Sequence, residues 1–171
     1  MFLHMPGNYP QSGYEQRMPR APHITGERFL LESPGTWIGE FELWFEPGAP
    51  AVKSVSRATI TSELRGRTAL LRYTWRFDAE EHEGIALLGR ADDGTFRMAW
   101  TETFGYPGNI MDCSSDGDRP RVLGQYEADG RTWGWRTEFD LPSINDLVIR
   151  TINIAPDGTE ALASLARYRR S

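Results

Sequence analysis

Hydrophobic and polar positions alternate along this chain in short runs, and the clearest run opens at residue 35. In Gly35-Thr36-Trp37-Ile38-Gly39-Glu40-Phe41-Glu42-Leu43-Trp44-Phe45, one face carries Trp37, Phe41, Leu43 and Phe45, with Gly39 between them. The other face carries Ile38, Glu40, Glu42 and Trp44. A period of two marks a strand with one buried side. A Trp at the start of the inner face, two residues from a glycine, predicts a large ring plugging one end of a closed sheet.

The same period recurs down the chain. From Val52 to Leu64 the small residues Ser54, Ser56, Ala58, Ile60 and Ser62 share a face, as suits a narrow wall or a close ligand. Arg67 to Phe77 points Ala69, Leu71, Tyr73, Trp75 and Phe77 one way. Glu83 to Arg90 follows. Phe96, Met98, Trp100, Glu102 and Phe104 then share a face. Ile110–Ser114 and Val122–Glu127 are shorter. Trp133, Trp135, Thr137 and Phe139 line the next strand, which Leu141-Pro142-Ser143 is expected to break. Leu147 to Ile154 is apolar on both faces, so its inner side stays open. Glu160 to Tyr168 closes the series.

Four Asp-Gly pairs, at Asp93, Asp116, Asp129 and Asp157, supply hairpin turns. One helix is predicted, from Thr25 to Leu31, with Thr25 as its N-cap and Ser33-Pro34-Gly35 as its stop. Consecutive hairpins with one apolar face close best as an all-β, antiparallel up-and-down barrel of roughly ten strands, which leaves no exposed edge. A barrel of that strand number is wider than one layer of side chains, so a cavity is expected. A two-sheet sandwich is the rival arrangement.

Composition narrows the picture. At 171 residues the chain suits one domain. Residues 1–22, with four prolines, read as an irregular arm, and residues 23–171 as the barrel domain. Tyr9, Tyr14 and Met18 would let the arm pack on a second copy, so a homodimer is one expectation. A net charge of −5 and a pI near 5.3 speak against nucleic acid as a partner. No run approaches the ~20 apolar residues of a membrane span. The start lacks a basic, apolar leader, so a cytoplasmic protein is expected. The single cysteine, Cys113, can form neither an internal disulfide nor a thiolate metal cluster.

These residues resemble a known pattern. Gly35-Thr36-Trp37-Ile38-Gly39-Glu40 looks like the Gly-x-Trp-x-Gly opening of the calycin group, which includes lipocalins, fatty-acid-binding proteins and nitrobindin-like haem barrels. The likeness extends to one uncharacterised bacterial family of lipocalin-like barrels, a domain of unknown function. It is carried by Leu64-Arg65-Gly66-Arg67, by His82-Glu83-Gly84 with Gly89, by Trp100, and by Tyr168-Arg169-Arg170. In place of that family's Tyr-Asp stands Arg90-Ala91-Asp92. The resemblance implies that Arg170, or Arg169, stacks on Trp37 in a structural contact. It implies no catalytic residue.

The expected ligand-binding residues are Tyr73, Trp75, Trp100, Glu102, Trp133, Trp135 and Arg67, with Tyr126 as a further wall candidate. Trp and Tyr carry polar tips that need partners, so this many facing inward favours a cavity over a solid core. Glu102 among apolar neighbours must be paired, hydrogen-bonded or protonated. It reads either as an anchor or acid–base group, or as a paired rim residue. Arg67 reads either as an anion anchor or as a partner of Glu83 closing one barrel end. The histidines are His4, His23 and His82. His82 follows an acidic turn and is expected at the surface, and no later His exists to ligate haem. No cofactor and no metal are expected. The reading that results is a barrel binding a small, mostly apolar molecule. The alternatives are an enzyme using Glu102 as acid or base, and a packed interaction protein.

Overall fold

In the computed structural model, which describes residues 24–171, Thr25 caps a seven-residue helix, α1 (Gly26–Glu32). Its hydroxyl accepts the Arg28 backbone N–H at 3.2 Å. This satisfies one of the donors a helix start leaves open. Ten strands follow: β1 (Gly35–Leu43), β2 (Val52–Glu63), β3 (Thr68–Phe77), β4 (Glu80–Arg90) and β5 (Phe96–Glu102), then β6 (Met111–Ser114), β7 (Arg121–Ala128), β8 (Arg131–Ser143), β9 (Asp146–Ile154) and β10 (Glu160–Arg170). Each pairs antiparallel with its neighbour in sequence, and β1 pairs with β10. The result is the closed up-and-down barrel that the alternation predicts. The one helix lies before the first strand, as expected. No helix among the described residues is long and apolar enough to cross a membrane. The N-terminal arm and its homodimer reading, like His4 and His23, lie outside the described residues.

Because the strands alternate in direction, the barrel has two ends of different character. At one end α1 is the floor. Phe29, fully buried, sets its ring 6.2 Å from Phe96 and 5.3 Å from Phe139. Trp37 fills the same end at 2% exposure and donates its indole N–H to the Ser33 carbonyl at 3.1 Å. The guanidinium carbon of Arg170 lies 4.2 Å from the centre of that ring. Gly39 explains how β1 and β10 meet there. A Cβ at this position would stand 1.8 Å from the Arg167 carbonyl oxygen, so only glycine permits the approach.

Two local expectations are corrected. Leu141-Pro142-Ser143 does not end its strand. β8 runs through to Ser143, and the ladder to β9 shifts register between Asp140 and Ser143. Pro142 sits inside that irregularity, where its missing N–H costs no ladder bond. The run from 35 leaves the sheet at Leu43, so Phe45 packs beyond the strand end against Phe77 at 5.0 Å.

The undecided face of β9 is resolved. Leu147 is buried, and Ile149, Thr151 and Asn153 follow it inward. Ile152 is also buried, on the outer face beside its ladder partner Arg136. Arg136 is held there by Glu138 at 3.0 Å and Glu160 at 2.6 Å. A long charged side chain lying flat covers apolar surface and keeps its head in water.

Candidate functional site

The end away from α1 is open inside. A cavity of about 90 Å³ lies among the walls of β1, β3, β5, β8, β9 and β10. An all-apolar engineered cavity of roughly 150 Å³ holds benzene. The enclosed space is smaller than that, so it takes a few waters or part of a ring system whose remainder extends through the mouth. Nearer α1 the barrel is packed, with Ile60, Leu88 and Val122 all at 1% exposure or less, and Leu71 and Met98 line the cavity where it meets this packing.

The polar centre of the cavity is built on one cross-strand row. Tyr73 on β3 pairs with Gly84 on β4, and Gly84 pairs with Glu102 on β5. With no side chain at Gly84, the Tyr73 ring lies across the gap: a Cβ there would be 2.1 Å from the ring. The Tyr73 hydroxyl donates to Glu102 Oε2 at 3.0 Å and accepts the Trp100 indole N–H at 3.0 Å. The Gly105 backbone N–H reaches Glu102 Oε1 at 3.4 Å. By surface area Glu102 is only half-buried, because its free surface faces the cavity. Protein nevertheless surrounds the carboxyl, and desolvation pushes its pKa up, partly offset by the bonds from Tyr73 and Gly105. The same burial, with the nearby Glu102 charge, pushes the Tyr73 hydroxyl well above its ordinary value.

Aromatic rings form the walls. Trp100 and Trp135 lie near-parallel with centres 5.8 Å apart, and Tyr106 extends the series at 6.1 Å from Trp100. Trp75 stacks on Phe41 at 4.7 Å. Phe104 sits at the mouth, 5.0 Å from Trp75, 5.6 Å from Phe77 and 4.8 Å from His82. Several neutral polar groups are satisfied among themselves, whereas the indole N–H groups of Trp75 and Trp135 have no hydrogen-bond partner. Tyr126 donates to Asn153 Oδ1 at 2.7 Å, and Thr151 and Ser164 share a bond of 2.6 Å. The Tyr168 hydroxyl meets Ser56 at 2.8 Å, and burial pushes its pKa to about 12.

Five of the residues expected to bind ligand line this space: Tyr73, Trp75, Trp100, Glu102 and Trp135. Trp133 does not. It is buried beside Tyr126, with ring centres 6.3 Å apart. Arg67 is exposed past the other end of the barrel, just before β3. Glu83 is opposite Thr74, whereas Thr68 is opposite Gly89. Arg67 and Glu83 therefore stand at opposite ends of the β3–β4 ladder and form no pair. His82 departs from the surface position expected of it. It is 8% exposed, with its ring 4.9 Å from Trp75, because the β3–β4 turn is only Asp78-Ala79 and β4 begins early enough to carry His82 inward. Asn153, Thr151, Ser164 and Tyr168 were not singled out from the sequence. For the first two, fixing the face of β9 from Leu147 would have found them.

Cys113 is buried, and its thiol is pushed to about 12 by burial and by the neighbouring Asp112 charge. Such a thiol is inert. Among the described residues, no group of three or more His, Cys, Asp or Glu side chains is placed to hold a metal ion.

A family described as a protein of unknown function (DUF1579) has a sequence model that matches residues 19–170. No curated protein matches the chain. One similar solved structure is the S-type phycobiliprotein lyase CPES from Guillardia theta, with a TM-score of 0.52 and 13% identity. The match covers 86% of this chain and 93% of that one. At that identity the likeness is one of fold.

Proposed function

This chain belongs to that family of unknown function, and from that premise we propose that it is a binding barrel for a small, mostly apolar, ring-containing molecule. The observation that carries the reading is the Tyr73–Glu102 pair, a desolvated carboxylate held at the side of a cavity walled mostly by aromatic and aliphatic side chains. A buried carboxylate costs stability unless it is paired or hydrogen-bonded, and incompletely satisfied ones cluster at functional sites. A few fixed polar groups in an apolar concavity is the usual composition of a ligand site. The ligand class is argued from the site alone.

The test is native mass spectrometry of the protein as purified, followed by titration with a neutral apolar fluorophore. The reading expects either a retained small molecule or saturable dye binding that quenches tryptophan emission. Trp100→Ala should then change dye affinity more than stability. Failure to bind any apolar probe, together with a loss of ~3–5 kcal/mol for Trp100→Ala as in a packed core, would leave an interaction protein as the better reading.

A second reading is favoured by the same carboxylate. A Glu whose pKa is raised above its ordinary value by desolvation is a candidate acid or base. A turnover that follows a single ionisation and vanishes in Glu102→Gln would mark an enzyme.

A further inference from the structure

The charge inventory of the cavity specifies what the ligand must carry. Among the described residues that line it, Glu102 is the only ionisable acid or base other than tyrosine, and no Lys, Arg or His faces it from the wall. The ion pairs of the barrel are elsewhere, on its outer face. Lys53 and Arg167 hold Glu42, for example, at 2.8 and 2.6 Å. An ionised carboxylate offers about four acceptor positions. Glu102 receives one bond of 3.0 Å from Tyr73 and one long contact of 3.4 Å from Gly105. Acceptor capacity is therefore left over on the oxygens that face the cavity.

Among the described residues, only Tyr73 and Gly105 donate to Glu102 from the wall, and the unpartnered indole N–H groups of Trp75 and Trp135 are not bonded to it. The Trp100 N–H, the nearest indole donor, is already given to Tyr73. The Tyr126 and Tyr168 hydroxyls are engaged with Asn153 and Ser56. A ligand that brings its own donors satisfies Glu102, whereas a ligand with a carboxylate meets a like charge in a desolvated space.

Resting on the ligand-binding reading above, we propose that the natural ligand is a planar nitrogen compound that presents a protonated nitrogen or paired N–H groups to Glu102 between the aromatic walls. The cavity discriminates against the fatty-acid type of ligand. Trp100 and Trp135 stack on one another, 5.8 Å between centres, and both line the cavity, so a flat, electron-poor partner lies against the pair rather than between its rings, since a cationic or N–H-bearing ring is attracted to an indole face.

Three bicyclic probes of similar size separate the terms by calorimetry: 2-aminobenzimidazole, which can give two N–H bonds to one carboxylate, neutral indane, and indane-2-carboxylate. The expected order of affinity is 2-aminobenzimidazole first, indane weaker by about tenfold or more, and the carboxylate weakest. Glu102→Gln should weaken 2-aminobenzimidazole by about tenfold or more, leave indane within about twofold, and improve the carboxylate. Tyr73→Phe retains the carboxylate and should retain the preference, which guards against a variant that merely unsettles the fold. Should indane bind as tightly as 2-aminobenzimidazole, or should Glu102→Gln weaken both alike, the nitrogen-ligand proposal is overturned while the binding barrel stands. If none of the three binds, both readings fall together.

Discussion

The Tyr73 ring occupies the place that a side chain on Gly84 would take, 2.1 Å from the Cβ position. That single absence lets a hydroxyl from β3 cross β4 and reach a carboxylate on β5. Gly84→Ala should therefore act as an overpacking change in a buried polar row, costing about 1–3 kcal/mol. The ring must shift, so the bonds to Glu102 and Trp100 should lengthen or break. Urea denaturation gives the stability change, and the 2-aminobenzimidazole titration gives the effect on the site. An alanine variant with unchanged stability and unchanged affinity would show that Tyr73 does not depend on the gap.

Arg170 is the tie between the chain's last strand and its first turn. Its guanidinium donates to the carbonyls of Glu32, Pro34 and Ile144, at 2.8, 2.7 and 2.8 Å, while covering Trp37. Three acceptors in three directions need the rigid fork of arginine. Arg170→Lys should lose about 1–3 kcal/mol, the cost of leaving partly buried acceptors unmet. Trp37→Ala should lose more, ~3–5 kcal/mol, as a large buried ring. Thermal or chemical denaturation of both variants checks the order. Equal and small losses would mean that this end of the barrel does not hold the fold together.

Much of this was legible in the sequence, and the reasons for the rest are physical. Glu102 was legible because it alternates with Trp100 and Met98, whose burial fixes its direction. Gly84 could be read as a glycine but not as the space for Tyr73, since that needs the β3–β4 register, which no local pattern supplies. Asn153 and Thr151 were hidden because β9 is apolar on both faces. Its outer Ile152 lies beside Arg136, so burial there does not report the barrel interior. Arg67 was misplaced for a different reason. Alternation gives a side chain's face but not its height along the barrel axis, and Arg67 stands just before β3 at the α1 end. Trp133 stands at the open end of β8, where it packs beside Tyr126.

Cys113 gives a prediction independent of any ligand. With a thiol pKa of about 12, the thiolate fraction at pH 8 is on the order of one in ten thousand. The sulfur is also 1% exposed at the residue level. A disulfide reagent at pH 8 should leave the native protein unlabelled over a time in which the urea-denatured chain reacts fully. Rapid labelling of the native protein would show that β6 opens readily and that the short β6 ladders do not hold that side of the barrel closed.

The last prediction concerns what Glu102 costs the empty protein. Desolvation raises its folded pKa above the ordinary carboxylate value of 4.5, while the unfolded chain keeps the ordinary one. Between those two values the folded state holds more protons than the unfolded state, so stability falls as pH rises through the window. Below the window both states are protonated and there is no penalty. Above it both are ionised and the full desolvation cost remains. Gln at this position keeps an acceptor for Tyr73 and carries no charge, at the expense of the long 3.4 Å contact from Gly105. Glu102→Gln should therefore melt at a higher temperature than the wild type near pH 7.5, with the gap closing as pH falls toward 4. 2-Aminobenzimidazole should narrow the same gap from the other side, by stabilising the ionised wild type more than the variant. A variant less stable than wild type at pH 7.5 would mean that the carboxylate is held for structure, and the case for Glu102 as a ligand anchor would lose its energetic basis.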